Sequence, residues 1–155
     1  MEKGKHLLFC LLVLFVFQET VSAADLTGTW ASMTYNCQDT SKGAKCKIKG
    51  QLRIENAGDQ DAPSSLVRFY LSDDGNYDEG DRFLKQVASG KISRGKSKAK
   101  TLSYSFGYGE TLDCRYILAV IDADNAVAET NETNNTISYG PTECVKPNET
   151  LPSRI

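Results

Sequence analysis

Cys46-Lys47-Ile48-Lys49-Gly50-Gln51-Leu52-Arg53-Ile54-Glu55 alternates almost without interruption between apolar and polar side chains. Cys46, Ile48, Leu52 and Ile54 fall on one side, while Lys47, Lys49, Gln51, Arg53 and Glu55 fall on the other. That period of two is a half-buried strand, and Asn56-Ala57-Gly58 ends it in a turn. Val67, Phe69 and Leu71 repeat the pattern, as do Leu102, Tyr104 and Phe106. Cys114, Tyr116, Leu118 and Val120 alternate with Arg115, Ile117, Ala119 and Ile121. A strand apolar on both sides belongs in the middle of a sheet. Ile137 and Tyr139 form the last strand, and weaker ones are predicted around Thr29 to Tyr35 and Arg82 to Ala88. About seven short strands with Gly, Asn and Asp turns, and no amphipathic helix, predict an all-β antiparallel sandwich.

The chain has 155 residues, 40% apolar and 25% charged, with a net charge of −2. That is one globular domain with nothing basic enough to draw nucleic acid. Lys3 and Lys5 precede an apolar run from Leu7 to Phe17, and Ser22, Ala23 and Ala24 follow. The run would rise only about 16 Å as a helix, against a membrane core of about 30 Å. It reads as a secretory signal peptide over residues 1–23, cleaved after Ala23. The product is expected to be secreted, extracellular or periplasmic, with no membrane insertion after cleavage. The domain is expected over 24–144, and 145–155, with Pro147 and Pro152, as a disordered tail. Cleavage would remove His6, the single histidine. Imidazole catalysis and histidine-ligated zinc go with it, which leaves only carboxylate-pair chemistry for an enzyme.

Four cysteines then remain: Cys37, Cys46, Cys114 and Cys144. An even number in an exported domain reads as disulfides, and four cysteines allow three pairings. Cys37–Cys46 and Cys114–Cys144 each bracket a polar turn and are the favoured set. Chain-entropy reasoning assigns them about 2.7 and about 3.7 kcal/mol. A four-thiolate zinc site lacks its usual close pairs here.

The segment Ile117-Leu118-Ala119-Val120-Ile121-Asp122-Ala123-Asp124-Asn125-Ala126-Val127-Ala128-Glu129-Thr130-Asn131-Glu132-Thr133-Asn134-Asn135 closely resembles the C-terminal signature of the CARDB family, the cell-adhesion-related domain found in bacteria. Ile54-Glu55-Asn56-Ala57-Gly58, Val67-Arg68-Phe69-Tyr70-Leu71-Ser72-Asp73-Asp74 and the step from Asp81 to Leu84 are similar to it as well. The resemblance spans about residues 45–139. It implies an immunoglobulin-like sandwich, an adhesion or interaction role, and no catalytic residues. Its signature loop maps onto Asp122, Glu129, Asn131, Glu132, Asn134 and Asn135. The single copy and the four cysteines depart from the family pattern.

Asp73, Asp74, Asn76, Asp78, Glu79 and Asp81 crowd one turn. Asp74, Asn76 and Asp78 are spaced like the opening of a calcium loop, though Gly80 comes one position late and Lys85 stands where a closing Glu belongs. The other reading is a solvated turn whose Asp and Asn side chains bond their own backbone. Strand parity places this turn beside Glu110 and Asp113, a crowding that a cation would relieve. At the opposite end, Lys91, Arg94, Lys96, Lys98 and Lys100 are expected to face Asp122, Asp124, Glu129 and Glu132. Asn131, Asn134 and Asn135 are expected to take left-handed angles and cap turn amides. The sequons at Asn131, Asn134 and Asn148 are read as incidental. Trp30 is expected as a core or edge plug. The function expected is a non-catalytic secreted module binding an extracellular protein or surface partner, with no cofactor. The alternative is a calcium-stabilised carbohydrate-binding domain using Tyr77 and Tyr108 as stacking platforms.

Overall fold

The computed structural model describes residues 22–142. The alternating stretch becomes β2 (Lys45–Asn56), every second residue of which is buried. Antiparallel pairing sets it between β1 (Leu26–Gln38) and β5 (Ser97–Tyr108). The second sheet runs β4 (Arg82–Ala88), β3 (Leu66–Ser72), β6 (Tyr116–Val120), β7 (Thr136–Tyr139). Two facing antiparallel sheets, with seven strands and no helix among the described residues, are the expected sandwich.

The core lies between the sheets. Ile48, Leu52, Ile54, Leu102 and Phe106 come from one, and Val67, Phe69, Leu71, Ile117 and Ala119 from the other. Ile117, Leu118 and Ala119 are all fully buried, as the two-sided apolar pattern of a central strand predicts. Trp30 plugs the margin. Its ring lies 5.8 Å from that of Phe69, and Nε1 donates to the Ile137 carbonyl at 3.4 Å.

Some boundaries differ from the sequence reading. Cys114 precedes β6 rather than belonging to it; its φ of 58° places it in a left-handed turn. β1 and β5 are longer than expected, because backbone pairing to β2 carries them past their apolar residues into polar ends. The alternation of β2 also runs one step further than the turn reading allowed. Asn56 is its last inward residue and is fully buried. The Asn56 Oδ1 accepts from the Asp25 and Gly58 amides, both at 3.1 Å, and Nδ2 donates to the Gln60 and Ile92 carbonyls at 2.7 and 3.0 Å. With every polar atom satisfied, this buried amide ties three segments together.

Most of the expected leader, residues 1–21, lies outside the described residues, as do Cys10, Cys144, Asn148 and the expected tail. Ser22 and Ala23 are described. The Ala23 carbonyl accepts from the Asp59 and Gln60 amides at 3.1 and 3.3 Å. Gly58 is needed there, because a Cβ on it would come within 2.5 Å of the Asp25 nitrogen. Among the described residues no helix is long and apolar enough to cross a membrane.

Candidate functional site

The signature loop leaves β6 through Asp122, buried and at a φ of 50°. Its two carboxylate oxygens accept from the Ala126 and Val127 amides, each at 3.0 Å. Asp124 reaches the Leu66 amide at 2.9 Å. Asn131 takes the Thr133 amide at 3.1 Å, and Glu132 takes the Glu129 amide at 2.9 Å. The left-handed residues of this loop are Asp122 and Asn125, not the three asparagines expected.

Asn134 and Asn135 act across the fold rather than within the turn. Asn134 Nδ2 donates to Asp25 at 2.8 Å, and Asn135 Nδ2 donates to Glu129 at 3.1 Å. The Glu129 carboxylate also accepts the Leu26 amide, and the Thr130 amide donates to the Ala24 carbonyl at 2.9 Å. The loop is therefore a clamp on the start of β1. Burial pushes the Glu129 carboxyl up to about 7, against the opposing pull of the Leu26 N–H and the Asn135 amide. The Oδ1 atoms of Asn134 and Asn135 are buried without a hydrogen-bond partner among the described residues. A protonated Glu129 would supply a donor beside Asn135, whose amide could turn to accept it.

Among the described residues no ion pair joins the lysine-rich segment to this loop. Lys91 pairs with Asp61 at 2.7 Å, and the Arg94 amide donates to the same carboxylate at 3.0 Å. Lys91 is thus the chief cause of the lowered Asp61 pKa. Burial lowers the Lys100 pKa, with help from Lys98. The acids of the signature loop go instead to backbone amides, which a loop of this length leaves in need of partners.

At the other end, the turn after β3 spends its carboxylates on itself. Asp74 Oδ1 accepts from the Asn76 amide at 2.8 Å, Asp78 Oδ1 from Gly80 at 2.7 Å, and Asp81 Oδ2 from Asp78 at 3.1 Å. A hollow of about 250 Å³ beside them is lined by Asp73, Asp74, Asp78, Asp81, Arg82 and Arg115. The crowding of acids is met by the chain's own guanidinium groups: Arg115 lies 3.2 Å from Asp73, and Arg82 lies 3.2 Å from Glu110. The Gly107 amide and Arg82 hold the Glu110 carboxyl below its usual range. Among the described residues no three His, Cys, Asp or Glu side chains converge enough to hold a metal ion. Asp74 and Asp78 thus cap the turn that carries them, each accepting the amide two residues on.

This turn folds back over the outer face of the second sheet. A Cβ on Gly75 would lie 3.5 Å from both the Tyr116 ring and the Ser138 hydroxyl. Beneath it, Tyr70 and Leu118 are paired neighbours that point away from the core, yet both are buried. Tyr77 packs on Tyr70 at 4.7 Å between ring centroids, and Phe83 meets Tyr70 edge-on at 5.9 Å. Tyr77 and Phe83 remain 43% and 51% exposed. Phe83 escaped the sequence reading, although the adjacent pair Phe83-Leu84 carried a signal, since one of two consecutive strand residues must face outward. Tyr108 is exposed too, but Lys45 and Lys42 lie over its ring at 5.1 and 5.9 Å.

Cys37 and Cys46 form a disulfide. Cys114 is also disulfide-bonded, and Cys144, the partner expected for it, lies outside the described residues.

A two-sheet antiparallel sandwich with a long loop latching its first strand is an immunoglobulin-like β domain. Within that class the chain belongs to the CARDB family, whose model matches residues 23–139. It is similar to the CARDB domain of a Pyrococcus furiosus protein crystallised in complex with di-metal ions. The two are 21% identical over 76% of this chain and 85% of that one, with a TM-score of 0.51. A solution NMR structure of the P. furiosus CARDB domain is 23% identical over 76% of this chain and 93% of that one, with a TM-score of 0.45. No curated protein matches the chain.

Proposed function

We propose that this chain is an exported, non-catalytic interaction module of adhesion type, binding an extracellular protein or cell-surface partner. The observation that carries this reading is the pair Tyr77 and Phe83, exposed on the outer sheet face and braced from below by Tyr70. Aromatic rings already fixed by packing lose little freedom on contact, which is what an anchor residue needs. Most polar side chains of both end loops are committed to internal hydrogen bonds, a framework for presenting a surface. The test is capture of cell-surface or culture-medium partners by the purified protein and by Tyr77→Ser/Phe83→Ser. Saturable capture weakened at least about tenfold by the double change supports the reading. Unchanged capture moves the surface elsewhere, and no saturable capture overturns the function.

The second reading, a carbohydrate-binding domain, is favoured by the same Tyr77 ring, whose exposure would let a sugar stack on it. Tyr108 serves it poorly, with its face already taken by lysines. Periodate treatment of the captured partner discriminates, since it destroys a glycan epitope and spares a protein one.

A further inference from the structure

The four edges of the two sheets are not alike. On one side of the sandwich lie β4 and β5, guarded by Arg82, Lys85, Lys98 and Lys100. On the other lie β1 and β7, joined by the Trp30 indole on the Ile137 carbonyl. From Leu26 to Gln38 and from Thr136 to Tyr139 there is no charged residue and no proline. Charges and prolines are the usual defence of an exposed edge, and here one entire side lacks them. Beyond Trp30, β1 pairs with β2 alone among the described strands, so Ser32 to Gln38 presents an open ladder. A cavity of about 810 Å³ opens beside it between the sheets, lined in part by Met33, Leu112 and Ile117. Tyr35 and Tyr139, 39% and 38% exposed, stand at its margin.

We propose that this chain self-associates through the β1 edge, a second copy pairing antiparallel along Ser32–Gln38. Self-pairing on a two-fold axis sets a strand against its own reverse, so a strand carrying charges of one sign on both sides of the axis would repel its copy. β1 carries none. The same operation brings β7 toward its counterpart, equally uncharged, so both open edges on this side are used at once. An extended segment of another protein would cover β1 and leave β7 open. Pairing centred on Tyr35 sets Thr34 of each copy opposite Asn36 of the other. Self-association goes beyond the partner-binding reading and uses a different surface.

The test is sedimentation equilibrium of the whole protein from low to high micromolar concentration, beside Thr34→Glu/Asn36→Glu. In the monomer these acids face Lys49 and Lys47 of β2, which accommodates them. In the pair they face each other. The wild-type mass is expected to double with concentration, while the variant stays monomeric with an unchanged β-type dichroism spectrum. Hydrogen exchange of the wild-type amides from 32 to 38 is expected to slow at least about tenfold at high concentration, which decides the matter even if the variant misfolds. A wild type that is monomeric throughout overturns the proposal, as does a dimer whose 32–38 amides exchange no more slowly. Protection of those amides by another protein, with no self-association, also overturns it. Neither result bears on capture through Tyr77 and Phe83.

Discussion

Replacing Glu129 with Gln tests the clamp on β1 at its titrating group. The carboxyl is raised from 4.5 to about 7, chiefly by burial, so the folded state holds a proton that the unfolded chain has already released. A raised carboxyl pKa leaves stability complete below about 4.5 and erodes it as pH rises through 7. At full value the shift amounts to about 3.4 kcal/mol, and solvent reaching the half-exposed group reduces that to about 1.5. Glutamine keeps the shape, removes the charge, and supplies an N–H beside the buried Oδ1 of Asn135, which has no partner among the described residues. The variant is therefore expected to match wild type at pH 5 and to exceed it by about 1 kcal/mol at pH 8. Urea denaturation followed by Trp30 fluorescence at steps between pH 5 and 8 reads this directly. Two proteins with the same pH slope would refute the reasoning. So would a variant more than about 2 kcal/mol weaker at pH 5, because the Leu26 amide would then require a charged acceptor.

Asn56→Ala removes four hydrogen bonds from a fully buried site and should cost about 3–4 kcal/mol in chemical denaturation, far more than a turn asparagine would. Cys37→Ser/Cys46→Ser should lower stability by about 2–3 kcal/mol, and reductant should then have less effect on its melting than on that of wild type. Asp74→Asn should be neutral within about 0.5 kcal/mol, because an amide oxygen still accepts the Asn76 N–H, whereas Asp74→Ala should cost about 1. A large loss for Asp74→Asn that calcium modulates would show the carboxylate holding an ion.

The sandwich was legible wherever one strand face is apolar and the other charged, as in 46–55, because a period of two has no other packing solution. Residues 116–120 were legible for the opposite reason, being apolar on both faces. β1 and the outer parts of β5 were weak in the sequence because pairing to β2 forms them, and pairing partners leave no local pattern. Asn56 is instructive. Its residue type says turn and its parity says core, and the structure satisfies both by surrounding one amide with four backbone groups. The signature residues were found by resemblance, but their work could not be read from it. Asn134 and Asn135 bond across the fold to Asp25 and Glu129, contacts that no local spacing encodes. Charge counting failed at the lysine-rich end for a related cause, because Asp61, distant in sequence, intercepts Lys91.

The latch between the signature loop and the opening residues of β1 has a consequence for the order in which the protein can be made. Asp25 waits for Asn134, 109 positions later, and the Ala24 carbonyl for Thr130. A polypeptide emerging from its amino end can pair this charge-free strand with β2 early, but the latch on its opening residues waits until almost the whole domain has followed. Throughout that interval the outer edge of β1 stays open to wrong neighbours. A chaperone that grips bare extended backbone would find its first substrate here.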